Sequence, residues 1–270
     1  IPEQVKSTKI KAPRTMLRLN CCIQVVFLLV LLCMFTARSA AMAFNRYLDR
    51  HFDKLNPRTA IREIPAGIIK AEKALVFIFI NMGVFVIASF FINSICFYLS
   101  PVALFVILFY SYTKRFTYLC HLILGIGLSL APIGAYLAVA GTFAILPILF
   151  SCVVICWVSG FDIIYAMQDV DFDASQNLHS IPTYLGKVNA LKLSVLLHVV
   201  AAALVIVAGV LAGYGYFYWE GALVFIGMLY YQHSIVSPTN LTKVNIAFMT
   251  ANGIASVIFG IHVLVALFLK

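Results

Sequence analysis

The sequence predicts an all-α fold: a polytopic bundle of transmembrane helices around a central cavity, in a single domain over residues 1–270. Three observations carry this. Apolar residues make up 63% of the chain and charged ones 11%, with mean hydropathy +1.01, whereas soluble domains are roughly half apolar. Apolar runs recur at close to the ~20 residues that a helix needs to cross a bilayer. Lys and Arg gather in alternate connections between these runs.

Eight runs qualify: 18–44, 74–92, 95–112, 119–139, 143–167, 190–212, 217–236 and 246–269. Each is expected to be helical, because a segment alone in lipid must satisfy its own backbone hydrogen bonds. Pro101, Pro132, Gly134 and Pro147 fall inside runs and predict kinks around a cavity. Among the connections, the first carries Arg46, Arg50, Lys54, Arg58, Arg62, Lys70 and Lys73; the third carries Lys114 and Arg115; the fifth Lys187 and Lys192; the seventh Lys243. The second, fourth and sixth carry no Lys or Arg. The odd connections are therefore expected in the cytoplasm. Residues 1–18, with Lys6, Lys9, Lys11, Arg14 and Arg18, run against this parity, and 1–17 reads as an atypical amino-terminal segment.

This composition argues against a soluble domain. The seven cysteines are odd in number and contain no CxxC, which argues against a disulfide framework or a zinc site. No cleavable signal peptide is expected, since the first apolar run is too long and lacks a clear cleavage site. The formal net charge is +9, and no nucleic-acid partner is expected.

The acidic residues are the strongest clue to chemistry. Asp49, Asp53, Glu63 and Glu72 lie in or beside the first connection, and Asp162, Asp169, Asp171 and Asp173 lie at the end of the fifth run. Eight of the ten acids thus gather at two ends on one side of the membrane. Carboxylates at a membrane boundary are costly unless paired, hydrated or bound to a cation. Asn45, Asp49 and Asp53 step by four and share one helix face, as do Asp162, Tyr165, Asp169 and Asp173 at intervals of three and four. Asp171 points off that face and is expected in solvent. Two facing columns of hard oxygen ligands suit Mg²⁺, which binds through few carboxylates and completes its shell with water and phosphate. Pro57 is expected to end the helix after Asp53, and Arg58, Arg62, Lys114 and Arg115 follow as partners for phosphate. His198, His233 and His262 read as packed interhelical polar residues. Some of the 22 Phe and 13 Tyr are expected to line an apolar tunnel.

These residues resemble a known family. Asn45-x-x-x-Asp49-x-x-x-Asp53, followed by 56-NPRTAIR-62, resembles the first signature of the UbiA superfamily of intramembrane aromatic prenyltransferases. The run 161-FDIIYAMQDVDFDASQNLHSIPTYLG-186 resembles its second signature, and 110-YSYTKRFT-117 its further cytoplasmic patch. The second motif fits the bacterial 4-hydroxybenzoate polyprenyltransferase-like branch. Arg46 departs from the Asp that many members carry after the first Asn. The family fold has nine helices, and the first run here matches the family's second, so a preceding helix is expected and its absence would leave one wall of the cavity open.

The resemblance implies Mg²⁺-dependent transfer of a polyprenyl group from its diphosphate to an aromatic acid, 4-hydroxybenzoate first, in quinone biosynthesis, at a bacterial cytoplasmic membrane. It implies that Asn45, Asp49, Asp53, Asp169 and Asp173 hold two Mg²⁺, that Arg58, Arg62, Lys114 and Arg115 bind diphosphate, and that Tyr112, Asp162 and Tyr165 line the acceptor region. A dihydroxynaphthoate-type acceptor for menaquinone and a haem O synthase-like farnesyl transfer are the alternatives within the fold. A cation transporter is the alternative outside it; that reading calls for charges near the midplane, whereas these acids lie at helix ends beside Arg and Lys.

Overall fold

The computed structural model describes residues 14–269, with side chains from Ile23 onward. Of the atypical segment expected at 1–17, only 14–17 fall within that range, as the start of the first helix; 1–13 lie outside the described residues.

All eight apolar runs are helices. They are α1 (Arg14–Leu48), α3 (Ala71–Ile92), α4 (Ser94–Thr113), α5 (Cys120–Ala140), α6 (Ile145–Ala166), α8 (Ile181–Ala212), α9 (Tyr216–Ile235) and α10 (Asn252–Phe268). Two six-residue helices, α2 (Arg50–Leu55) and α7 (Val170–Ser175), complete the set among the described residues. Among the described residues seven segments are long and apolar enough to cross a membrane; α9, expected as a span, is not one of them. Its composition explains the shortfall. Glu220, Gln232 and His233 dilute its apolar content, and its Tyr and Trp cluster toward the two ends, as aromatic belts do at membrane interfaces.

Where the helix bounds differ from the runs, capping chemistry decides. α8 begins at Ile181, nine residues before the run, because Ser180 and Thr183 form a reciprocal capping box and Pro182 sits in the first turn. It continues past Gly186, whose φ of 75° makes a kink that a side chain would resist. α2 stops at Leu55, and Asn56 is extended (φ −88°, ψ 117°), as the residue before Pro57 must be.

Helices adjacent in sequence pack against each other: α1 on α3, α4 on α5, α5 on α6, α6 on α8 and α9 on α10. The bundle is apolar outward and small or polar inward. Phe79, Phe91, Tyr98 and Val139 are exposed, while Ser100, Ser129, Ser159 and Ser194 are buried, with Ser159 and Ser194 hydroxyls donating to carbonyls of neighbouring helices. Small residues let helix backbones approach where lipid supplies no hydrophobic drive between helices. A polar cluster ties the later helices together. Trp157 Nε1 and Gln232 Nε2 both donate to Asn252 Oδ1, at 2.9 and 2.7 Å, and His198 Nδ1 meets His233 Nε2 at 2.8 Å. The five cysteines whose side chains are described are free.

The two acidic motifs share one backbone device. α1 gives way at Asp49 (φ −89°, ψ 5°) to α2, and α6 gives way, through a 3₁₀ turn at Met167–Asp169, to α7 at Asp169 (φ −103°, ψ 6°). Both aspartates thus sit in the sparsely populated bridge region, where active-site residues are common. The helical register survives the first break, since Asp49 N donates to Asn45 O and Asp53 N to Asp49 O. Each short helix then buries a second aspartate four residues on: Asp53 is 6% exposed and Asp173 1%.

Candidate active site

One cavity of about 250 Å³ opens between these two motifs, many times the ~10–15 Å³ that a single water needs. It is lined by Asn45, Asp49 and Asp53 from the first motif, by Asp162, Tyr165, Asp169 and Asp173 from the second, and by Arg58, Arg62 and Lys114 from the loops. Phe52, Tyr110, Leu124, Phe172 and Leu178 supply its apolar wall.

Each of the four motif aspartates is paired with one of the four basic residues singled out from the sequence. Asp53 takes both oxygens to Arg62 Nη1 at 2.8 and 2.9 Å. Asp169 receives a two-pronged guanidinium from Arg58, with Nε at 3.0 Å from Oδ1 and Nη2 on Oδ2. Asp173 Oδ1 lies 2.7 Å from Lys114 Nζ, and Asp49 Oδ1 3.2 Å from Arg115 Nη2. The loops reach across the cavity to do this. Arg58 crosses from the first motif to the second, while Arg62 stays on its own side. Consecutive residues Lys114 and Arg115 reach opposite motifs.

The electrostatics follow from burial. Burial pushes the Asp49 carboxyl up to about 6, against the pull of Arg115 and with Asp53 adding repulsion. Burial also opposes the charge on Lys114 and on Arg58, but Asp173 and Asp169 more than offset it, so both pKa values are raised.

Two predicted residues stand apart from the cavity. Tyr112 is 49% exposed, with its ring under Arg115. Tyr110, two positions earlier on α4, lines the cavity instead. Residues two apart on a helix are separated by about 200°, so only one of them faces in. Arg115 touches Asp49 from outside the lining, and donates also to Leu48 O at 3.0 Å. Arg46, the departure from the family pattern, pairs with Glu63 on the surface. Asp171 is exposed and lies 3.8 Å from Lys187.

The structure gives roles to residues that have none in the sequence. Asn56 accepts from Arg58 N and donates to Asp169 at 3.3 Å, locking the loop that carries Arg58. Thr59 donates to the Asp53 carbonyl. His121 meets Asp162 at 2.7 Å. Phe248 packs against Tyr165 with ring centroids 4.2 Å apart and the rings tilted by 31°, from a π-helical turn at Ile246–Ala251. Of these, Asn56 and Thr59 lie in the run 56-NPRTAIR-62 that resembles the first family signature, while His121 and Phe248 carried no signal.

Among the described residues no three His, Cys, Asp or Glu side chains stand close enough to hold a metal by themselves, as expected when every carboxylate is occupied by a base. One observation suits a cation here: Asp173 Oδ2 is buried with no hydrogen-bond partner among the described residues. Mg²⁺ draws on one or two carboxylates and takes its remaining ligands from water and phosphate, so these residues suit it without a complete protein cage.

An all-α bundle whose helix ends converge two aspartate motifs and four bases on one cavity is the arrangement of an intramembrane prenyltransferase. The model of the UbiA prenyltransferase family matches residues 18–254, and the chain belongs to that family, an integral membrane protein. It is similar to the 4-hydroxybenzoate octaprenyltransferase of Shewanella halifaxensis, at 29% identity over 87% of this chain and 81% of that protein. The enzyme of the same description from Tolumonas auensis is 30% identical over 83% of this chain and 78% of that protein. Among solved structures, the apo form of a UbiA homolog from Aeropyrum pernix K1 matches with a TM-score of 0.83 at 30% identity, over 89% of both chains. A UbiA homolog from Archaeoglobus fulgidus bound to GPP and Mg²⁺ shares the fold, with a TM-score of 0.69 at 18% identity, over 90% of this chain and 88% of that one.

Proposed function

We propose that the chain transfers a polyprenyl group from its diphosphate to an aromatic acid, with 4-hydroxybenzoate as the acceptor, in quinone biosynthesis. The observation that carries this is the fourfold pairing of carboxylates with bases around one cavity. A Mg-diphosphate brings cations for the carboxylates and anions for the bases, so it can displace all four pairs at once. The names of the relatives support the acceptor, and the ligands of the Archaeoglobus fulgidus homolog support the donor class and the metal. The alternation of basic connections supports an active site on the cytoplasmic face.

In this reading Asn45, Asp49, Asp53, Asp169 and Asp173 would hold the metal, two Mg²⁺ in all, which would supply positive charge to the diphosphate and make it a better leaving group. Arg58, Arg62, Lys114 and Arg115 exchange their carboxylate partners for phosphate and stabilise the charge that grows on the leaving group. The prenyl C–O bond breaks with its electron pair on the diphosphate, leaving an allylic cation. Tyr165 and Phe52 offer it ring faces, which attract cations. A ring carbon of the acceptor supplies the pair for the new C–C bond, and its proton passes to the released diphosphate. Apolar walls hold back water that would otherwise capture the cation.

The test is direct. Membranes carrying the chain, given Mg²⁺, a polyprenyl diphosphate and 4-hydroxybenzoate, should yield a prenylated acid by mass spectrometry. Asp49→Ala and Asp169→Ala should each abolish it while the protein still inserts. Product with dihydroxynaphthoate alone would move the acceptor to the menaquinone class, and turnover in both variants would sink the metal assignment.

A further inference from the structure

His121 opens α5 and lies 3% exposed at the cavity. Its Nδ1 is 2.7 Å from Asp162 Oδ2 on α6. Its Nε2 is buried with no hydrogen-bond partner among the described residues. Asp162 keeps part of its side chain open to the cavity, at 22% exposure, and among the described residues only its Oδ2 is hydrogen-bonded, to His121. Two features fix the pair. Ser159 Oγ donates to the His121 carbonyl at 3.1 Å. Gly125, one turn along α5, lets the helices meet so closely that a Cβ there would sit 2.7 Å from the Ile155 carbonyl. Buried polar atoms in a purely structural pair find partners; among the described residues this pair leaves a buried nitrogen without one and turns a carboxylate oxygen to the open cavity. Neither group belongs to the four acid–base pairs.

We infer that Asp162, held in place by His121, binds the hydroxyl of the aromatic acceptor. This rests on the proposed function and deepens it. An aromatic acid offers two polar groups to such a wall. Its carboxylate is repelled by Asp162, while its hydroxyl donates to the free Asp162 oxygen. A phenol hydrogen-bonded to a carboxylate is more electron-rich at the neighbouring ring carbon, where attack on the allylic cation takes place. The bond orients the ring and moves no proton by itself. His121 is then a positioning residue: its Nδ1–H fixes one Asp162 oxygen so that the other faces the acceptor, and its ring offsets the cost of a buried carboxylate.

The experiment uses the full chain in detergent with geranyl diphosphate, Mg²⁺ and 4-hydroxybenzoate, and reads the KM of each substrate. His121→Leu should raise the KM for 4-hydroxybenzoate about tenfold, the effect of one lost charge-assisted hydrogen bond, and leave that for geranyl diphosphate unchanged. His121→Asn, whose amide N–H can replace Nδ1–H, should recover most of the loss. Should His121→Leu fail to fold, Asp162→Asn tests the same bond and should raise the acceptor KM alone. Methylating the acceptor hydroxyl should abolish the difference between wild type and either variant. An acceptor KM that does not move overturns the inference, as does a parallel rise in both KM values that His121→Asn fails to rescue. A wild-type protein that prenylates no hydroxylated aromatic acid overturns the proposed function itself, and the inference with it.

Discussion

Lys114 Nζ lies 2.7 Å from Asp173 Oδ1, and among the described residues that lysine is the only counter-charge bonded to this carboxylate, which is 1% exposed. Removing one partner of such a pair leaves an uncompensated buried charge. Lys114→Met should therefore destabilise the protein by about 3 kcal/mol, toward the low end of the range because the ammonium is one-third exposed. Adding Asp173→Asn should restore most of the melting temperature and none of the turnover. Thermal melts of the single and double variants in detergent separate the two effects. Equal melting temperatures for the single and double variants would show that the pair does not carry the charge balance of this wall.

Arg58 serves two partners at once. Its fork grips Asp169 while Nη1 donates to the Tyr165 hydroxyl at 2.8 Å. A lysine carries the charge but not the fork. Arg58→Lys should lower kcat/KM by at least about tenfold, mostly through the prenyl diphosphate. Tyr165→Phe removes one neutral acceptor and keeps the ring, so it should cost only about fivefold, near 1 kcal/mol. The order of the two effects is the point checked by steady-state kinetics.

Asp49 gives the site a pH dependence. Its carboxyl is pushed up to about 6 by burial, from an ordinary value of 3.8. Between those values the folded, metal-free protein binds more protons than the unfolded chain. Stability without metal is thus greatest below the unfolded value and falls as the pH rises through about 6. Metal binding needs the carboxylate and runs the other way. The Mg²⁺ concentration for half-maximal binding should be about tenfold higher at pH 5 than at pH 7. A Mg²⁺ titration followed by thermal shift, with no substrate present, reads this directly. A midpoint independent of pH would remove Asp49 from the metal site.

The parts legible in the sequence were those written in local spacing. Apolar length fixes the eight helices, and steps of four place Asn45, Asp49 and Asp53 on one side of a cavity and Asp169 and Asp173 on another. What was illegible depends on contacts across the bundle. Nothing local says that Lys114 turns to Asp173 and Arg115 to Asp49, because neighbouring residues on a loop can point either way. Tyr112 and Tyr110 have the same side chain and differ only in helical phase, which the apolar pattern of α4 does not fix when lipid faces most of it. His121 has no acid within its own helix; its partner Asp162 is 41 residues away. The π-helical turn that lays Phe248 on Tyr165 has no sequence signature comparable to a proline or a capping box.

The approach of α5 to α6 at Gly125 is the last feature with a measurable consequence. A Cβ there would lie 2.6 Å from Ser159 Oγ and 2.7 Å from the Ile155 carbonyl. The hydroxyl can rotate away, but the carbonyl belongs to the α6 backbone and cannot, so the helices must separate. Gly125→Ala should cost about 1–3 kcal/mol as an overpacked interface. Because His121 is one turn away on the same helix, the separation should also stretch its bond to Asp162 and raise the acceptor KM. Gly134 supplies the control on the same helix. A Cβ there meets nothing within 4 Å, so Gly134→Ala should be neutral or slightly stabilising, by up to ~1 kcal/mol from the better helix former. Melting temperatures and acceptor KM of the two variants, measured side by side, decide the matter. Equal behaviour would mean that close contact at Gly125 does not set the position of α5.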